Sequence, residues 1–185
     1  MSNEKGASFW KATAILNQAY RLARTGKTTE AVQIFASGIA ARRLTGATLF
    51  IPWYLLDLTR AYAKLGNYAD AWRCIGEAIT AVKETRERWC EAEVYRTAGA
   101  IALKSPTPDI AKAEGYLEHA LAVARAQQAK SWELRAAMSM ARLWRDQGKR
   151  NEAHDLLAPV YGWFTEGFDT PDLKEAKALL DELAA

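Results

Sequence analysis

Tyr62-Ala63-Lys64-Leu65-Gly66-Asn67-Tyr68-Ala69-Asp70-Ala71-Trp72-Arg73-Cys74-Ile75-Gly76-Glu77-Ala78-Ile79 carries the pattern that decides the fold. Gly66 stands five residues before Ala71, Asp70 directly precedes that alanine, and the bulky Ile75 and Ile79 follow it at four and eight. Positions i, i+4 and i+8 share a helix face, so Ala71 opens a buried stripe. Glycine tolerates the positive φ needed to end one helix and turn sharply into the next. The stretch therefore reads as a helix end, a hinge and a second helix.

The pattern recurs. Ala31, Ala71, Ala113 and Ala153 are separated by 40, 42 and 40 residues, and Phe35, Ile75, Leu117 and Leu157 follow four residues on. Ile39, Ile79, Leu121 and Tyr161 come four further along, and hinge glycines precede three of the alanines at Gly26, Gly66 and Gly148. In the third unit Ser105-Pro106-Thr107-Pro108 replaces the glycine and Asp109 is placed to cap the next helix. Glu30, Asp70 and Glu152 stand where a helix's positive end favours an acid. Upstream of the hinges, Ala12, Ile15, Leu16, Ala19, Leu22 and Ala23, and again Leu134, Ala137, Met138, Ala141 and Trp144, give one apolar face per helix. Aromatics at Trp10, Phe50, Trp89 and Trp132 are expected near the starts of these first helices, wedging one pair against the next.

A small mid-helix residue (Ala19, Thr59, Ala98 or Gly99, Ala141), a bulky one three residues on (Leu22, Tyr62, Trp144) and a hinge glycine together resemble the tetratricopeptide repeat (TPR). That repeat is about 34 residues long, so these 40-residue units imply longer helices. HEAT repeats match the length but lack the alanine-then-bulky signature. The expected fold is all-α: a right-handed superhelix of about four antiparallel helix pairs, residues 7–46, 47–87, 88–129 and 130–168, in a single domain 1–185. Pro159 should kink or end the fourth second helix. Thr170-Pro171 should then start a capping helix over 170–184, through Leu173, Ala176, Leu179, Leu180 and Leu183.

The run from Ser131-Trp132-Glu133-Leu134 through Leu143-Trp144-Arg145-Asp146-Gln147-Gly148 to Tyr161-Gly162-Trp163-Phe164-Thr165-Glu166-Gly167-Phe168-Asp169-Thr170-Pro171-Asp172-Leu173 is similar to a narrower family ending. It resembles the C-terminal TPR region of bacterial adenylate or guanylate cyclase-like and transcriptional-regulator-like proteins that carry a nucleotide-binding ATPase module. Arg86–Glu93 and Gly46–Phe50 share the likeness. The resemblance implies the sensor or interaction end of a signalling protein, as a fragment or standing alone. It brings no catalytic part, since no glycine-rich phosphate loop occurs here.

Composition narrows the partners. In 185 residues, 25 Lys and Arg against 22 Asp and Glu leave +3, well short of a dedicated nucleic-acid binder. Arg42-Arg43 and Lys149-Arg150 read as solvated pairs near helix ends. Only Cys74 and Cys90 occur, read as small core fillers in a reduced interior, and no segment has the apolar length of a membrane span. These features point to a cytoplasmic protein without membrane or nucleic-acid partners; a homo-oligomer stays open. His119 and His154 lack metal spacing, and each is expected to be splayed from its acidic neighbour, Glu118 or Asp155. Core packing is expected for the seven tryptophans, with Trp53 as the exception. No metal, cofactor or catalytic residue is expected.

TPR stacks bind extended peptides along their first helices, and here those helices offer Trp53, Asp57, Arg60, Lys64, Arg96, Arg135, Arg142 and Arg145. The set is mostly cationic, which suits an acidic peptide or a terminal carboxylate, because guanidinium groups bind carboxylates bidentately. Ordinary solvated charge is the other reading. The expected function is a protein-interaction or sensory scaffold, with a small-effector-binding regulatory module as the alternative.

Overall fold

The structure, a computed structural model, describes residues 2–184. Met1 and Ala185, the ends of the expected domain, lie outside the described residues. Among these the regular structure is helical throughout, with no strand. The helices are α1 (Ser2–Arg24), α2 (Thr28–Leu44), α3 (Ile51–Lys64), α4 (Tyr68–Thr85), α5 (Glu91–Lys104), α6 (Ile110–Ala126), α7 (Lys130–Asp146), α8 (Arg150–Gly162) and α9 (Pro171–Ala184). A 3-10 turn over Arg88–Cys90 precedes α5. The chain divides into two compact units, Met1–Cys90 and Glu91–Ala185.

In the first unit α1 packs on α2, α2 on α3, and α3 on α4. The predicted hinges are in place: Gly26 and Gly66 have φ of +88° and +76°. At the second hinge the Asn67 side chain accepts from the Asp70 amide at 3.3 Å, and its own amide donates to the Asp70 carboxylate at 2.7 Å. This reciprocal cap satisfies a backbone donor that the helix itself leaves open. Hydrogen bonds from Arg73, and then from Asn67, hold the Asp70 carboxyl below its usual range.

In the second unit α5 pairs with α6 and α7 with α8, while α9 packs on both α7 and α8. Asp109 caps α6 as expected, accepting from the Lys112 amide at 2.9 Å. Leu117, Leu134, Met138, Leu157, Leu173, Leu179 and Leu183 belong to one buried cluster, so α9 does close the apolar edge of this unit.

The repeat's signature alanines, Ala31, Ala71, Ala113 and Ala153, are fully buried, and so are the mid-helix Ala19, Thr59, Ala98 and Ala141. The outer repeat position holds only in part. Ile39 and Leu121 are buried, whereas Ile79 and Tyr161 are half-buried and Ala78 and Val160 take their places inside. Eight residues at 3.6 per turn overshoot two turns by about 80°, enough to carry the last position off the stripe.

Gly99 marks the closest approach of α5 to α6. A Cβ there would stand 2.9 Å from Leu117 Cγ and 3.2 Å from the Ala113 carbonyl oxygen. Gly99→Ala should therefore destabilise by about 1–2 kcal/mol, the overpacking cost exceeding the helix-propensity gain. Urea unfolding would show it as a lower midpoint. At Gly76, where a Cβ meets nothing within 4 Å, the same change should stabilise.

Several expectations need correction. Of the two outcomes expected at Pro159, a kink or an end, the end does not occur there: α8 runs on to Gly162, and the proline itself is exposed. Arg42 is not solvated. It is 1% exposed, with Nε donating to the Leu49 carbonyl at 2.9 Å and Nη1 to the Thr13 hydroxyl at 2.8 Å, its guanidinium 4.1 Å from the centre of the Phe9 ring. A buried charge needs such partners, and composition cannot announce them. Core packing of the tryptophans holds only in part: Trp132 and Trp144 pack half-buried against buried clusters, whereas Trp10, Trp89 and Trp163 are exposed. Trp10 lies well inside α1 at 68% exposure, too open to wedge one helix against another.

Candidate functional site

In the first unit, α1 and α3 line two adjoining open clefts. The first, about 280 Å³, meets Tyr20 of α1, Phe50, Trp53, Tyr54 and Asp57 at and along α3, and Trp89 of the 3-10 turn. The second, about 240 Å³, shares Tyr20, Phe35 and Asp57 and adds Arg24, Arg60 and Lys64. Four expected groove residues, Trp53, Asp57, Arg60 and Lys64, are thus brought together. Their i, i+4, i+7 and i+11 spacing along α3 gives one face, which explains why sequence periodicity could find them.

The aromatic end was only partly legible. Trp89 lies 5.2 Å from Trp53 and 5.8 Å from Phe50 between ring centres, the latter pair edge-on. Phe50 is the residue before α3 and adopts φ +65°. Its amide is held by both carboxylate oxygens of Glu87, at 2.8 and 3.0 Å. A left-handed aromatic residue is uncommon and strained. Chain spacing gives no hint of the Glu87 clamp, 37 residues away.

One ion pair lies where these clefts adjoin. Arg60 meets Asp57 at 3.2 Å and sets its guanidinium 5.7 Å from the Trp53 ring centre. Arg24 donates to the Tyr20 hydroxyl at 3.2 Å. Burial raises the Tyr54 pKa, with Arg42 opposing and Asp57 assisting, so this hydroxyl stays protonated across the neutral range.

The other four candidates, Arg96, Arg135, Arg142 and Arg145, lie in the second unit and engage carboxylates of their own chain. Arg96 forks onto Glu93 with two bonds of 2.7 Å. Burial disfavours its charge, but the Glu93 hydrogen bonds and charge outweigh this and raise its pKa. Arg135 lies 3.3 Å from both Glu93 and Asp172; Arg142 meets Glu175 at 2.7 Å, and Arg145 meets Glu182 at 3.0 Å. Asp172, Glu175 and Glu182 all belong to α9. The capping helix therefore lays acids along the arginine row of α7. Sequence reading named the arginines but not their α9 partners, because the pairs to Glu175 and Glu182 span 33 and 37 residues.

The cysteines and histidines lie apart from these clefts. Burial pushes the Cys74 thiol up to about 11, which disfavours the thiolate a nucleophile needs. His119 is exposed, its ring 3.9 Å from that of Tyr95. His154 is not splayed from Asp155: Nδ1 and Oδ1 are 3.6 Å apart, both side chains being exposed enough to swing together. Among the described residues no cluster of three or more His, Cys, Asp or Glu could hold a metal, and no helix is long and apolar enough to cross a membrane. A further cavity, about 390 Å³, opens between α1 and α2 beside Lys11, Ile15 and Leu44, away from the eight expected groove residues.

Helical hairpins with buried small residues at their crossings and glycine hinges define this chain as an all-α, TPR-like repeat protein. Solved structures share that fold. Two from Podosopora anserina, of nearly identical TPR-like repeats of a kinesin light chain type, one of them a point variant of the other, superpose with TM-scores of 0.72 and 0.71 at 18% identity. Each alignment covers 94% of this chain, and 84% and 85% of those chains. No family model and no curated protein matches the sequence.

Proposed function

We propose that this chain is a binding scaffold, without catalysis of its own, that takes a peptide segment or partner domain in the α1/α3 groove. One observation carries the reading: exposed aromatics, an ion pair and two further cations converge on open clefts. Trp53, Asp57, Arg60 and Lys64 form the binding face. Arg96, Arg135, Arg142 and Arg145 recognise carboxylates too, but those of Glu93 and α9. A small-effector module would call for an enclosed cavity, and both clefts are open. The closing motif's resemblance supports a cytoplasmic setting at the sensor end of a bacterial signalling protein.

A photo-crosslinking residue tests the groove. Placed at Tyr20 or Lys64 it should capture partner peptide, whereas at Thr80, on the exposed face of α4, it should capture none. Equal capture at all three positions would reject the groove.

A further inference from the structure

We propose that the second of the two α1/α3 clefts receives the phosphate of a phosphorylated serine or threonine carried by the bound peptide. This deepens the groove reading above and rests on it. Arg24, Arg60 and Lys64 line this cleft together with a single acid, Asp57. Arg60 and Asp57 neutralise each other at 3.2 Å, so the surplus charge belongs to Arg24 and Lys64. Arg24 donates to the Tyr20 hydroxyl at 3.2 Å, a contact that steadies the guanidinium without cancelling its charge. Glu30, the acid in the first turn of α2, stands 4.0 Å from Lys27 and does not line the cleft. Neither surplus cation has a carboxylate partner among the described residues.

The wall of the cleft points to an anion independently. α2 begins there at Thr28 with no side chain capping it, and its first bond runs from the Ala31 amide to the Lys27 carbonyl at 3.0 Å. The amides of the first turn are therefore left open at the positive end of the helix, an arrangement that favours phosphate. Thr28 itself is 5% exposed and lines the cleft, and its hydroxyl has no hydrogen-bond partner among the described residues. A hydroxyl buried without a partner is costly, and a phosphate oxygen supplies the missing bond.

Charge decides between anions. A phosphate monoester carries about −1.5 to −2 at neutral pH, which matches two surplus cations, and its three terminal oxygens can take a guanidinium, an ammonium and the hydroxyl. A lone carboxylate would balance one cation and leave the other uncovered. The peptide source follows from the neighbouring cleft, which shares Tyr20, Phe35 and Asp57 with this one. Chain flanking the phosphorylated residue continues from there onto Trp53 and Tyr54.

The test titrates the full chain with four probes: N-acetyl-phosphoserine methylamide, its glutamate and serine analogues, and inorganic phosphate. The backbone amide signals of Thr28 and Thr29 are followed by nuclear magnetic resonance. The phosphoserine probe should shift both signals saturably and bind ~10-fold tighter than the glutamate probe. Arg24→Gln and Lys64→Gln should each weaken it ~5-fold, whereas Lys11→Gln, which removes an exposed cation elsewhere on α1, should leave it unchanged. Glutamate or serine binding as tightly as phosphoserine would overturn the phosphate assignment while leaving the groove intact. Inorganic phosphate binding as tightly would make this a site for the free anion and overturn the peptide source. Silence from all four probes would overturn the site altogether; the crosslinking result judges the groove separately.

Discussion

Ending the chain after Asp169 is expected to abolish cooperative unfolding of the Glu91–Ala185 unit and expose apolar surface that binds a hydrophobic dye. The change removes α9, whose Leu173, Leu179 and Leu183 are 4%, 4% and 6% exposed. Burying a leucine is worth roughly 1.5–3 kcal/mol, so three of them approach the whole stability of a small domain. The faces of α7 and α8 that they cover would open to water at the same time. Ordering α9 costs chain entropy, which tempers the loss but does not reverse its sign.

The ion pairs between α9 and α7 play a lesser part. Glu175 and Glu182 have side chains 59% and 53% exposed, and exposed pairs contribute about 0–1 kcal/mol. Glu175→Gln with Glu182→Gln should accordingly leave the thermal midpoint within a few degrees of the parent's. If instead the double glutamine variant unfolded like the truncation, charge rather than leucine burial would be what fastens the cap. Circular dichroism melts of both variants decide the point.

Much of this architecture could be read from local spacing. The hinges at Gly26, Gly66 and Gly148, the Asp109 cap and the leucine stripe of α9 depend on neighbours within one or two helical turns, and sequence periodicity records such relations directly. Arg42 shows where that record fails. Its fate is fixed by Thr13, 29 residues earlier, and by a carbonyl at Leu49 beyond the end of its helix. Trp10, Trp89 and Trp163 depart from expectation for another reason. Helical spacing says which face a side chain takes, but an indole is too large for the tight crossings that alanines fill here, so it stays at the edges. In the candidate site, the α3 residues share one helix and were found together. Phe50, Trp89 and Glu87 meet only through the turn of the chain, and no pattern in the sequence links them.

Glu93→Ala should cost about 3–5 kcal/mol, more than any other single substitution considered. Glu93 is 1% exposed and accepts from Arg96 through both oxygens, with Arg135 3.3 Å away. Its removal takes both charged hydrogen bonds from a mostly buried guanidinium, leaving the Ser139 hydroxyl at 3.3 Å, and a buried charge that loses its counter-ion is far more costly than a missing pair. The comparison with Glu133 is instructive, since that carboxylate is also buried on its helix. There the partners Arg125 and Lys130 reach outward, their side chains 52% and 32% exposed, so losing Glu133 returns them to water. Arg96 has a side chain only 21% exposed and no such retreat. Glu93→Met combined with Arg96→Met should therefore recover more than half of the loss from Glu93→Ala, because it replaces a buried pair with apolar groups of similar volume. A double-mutant cycle read from urea midpoints measures this. Additive single and double losses would mean that Glu93 acts through packing alone, and that the Arg96 fork contributes nothing to holding α5 in place.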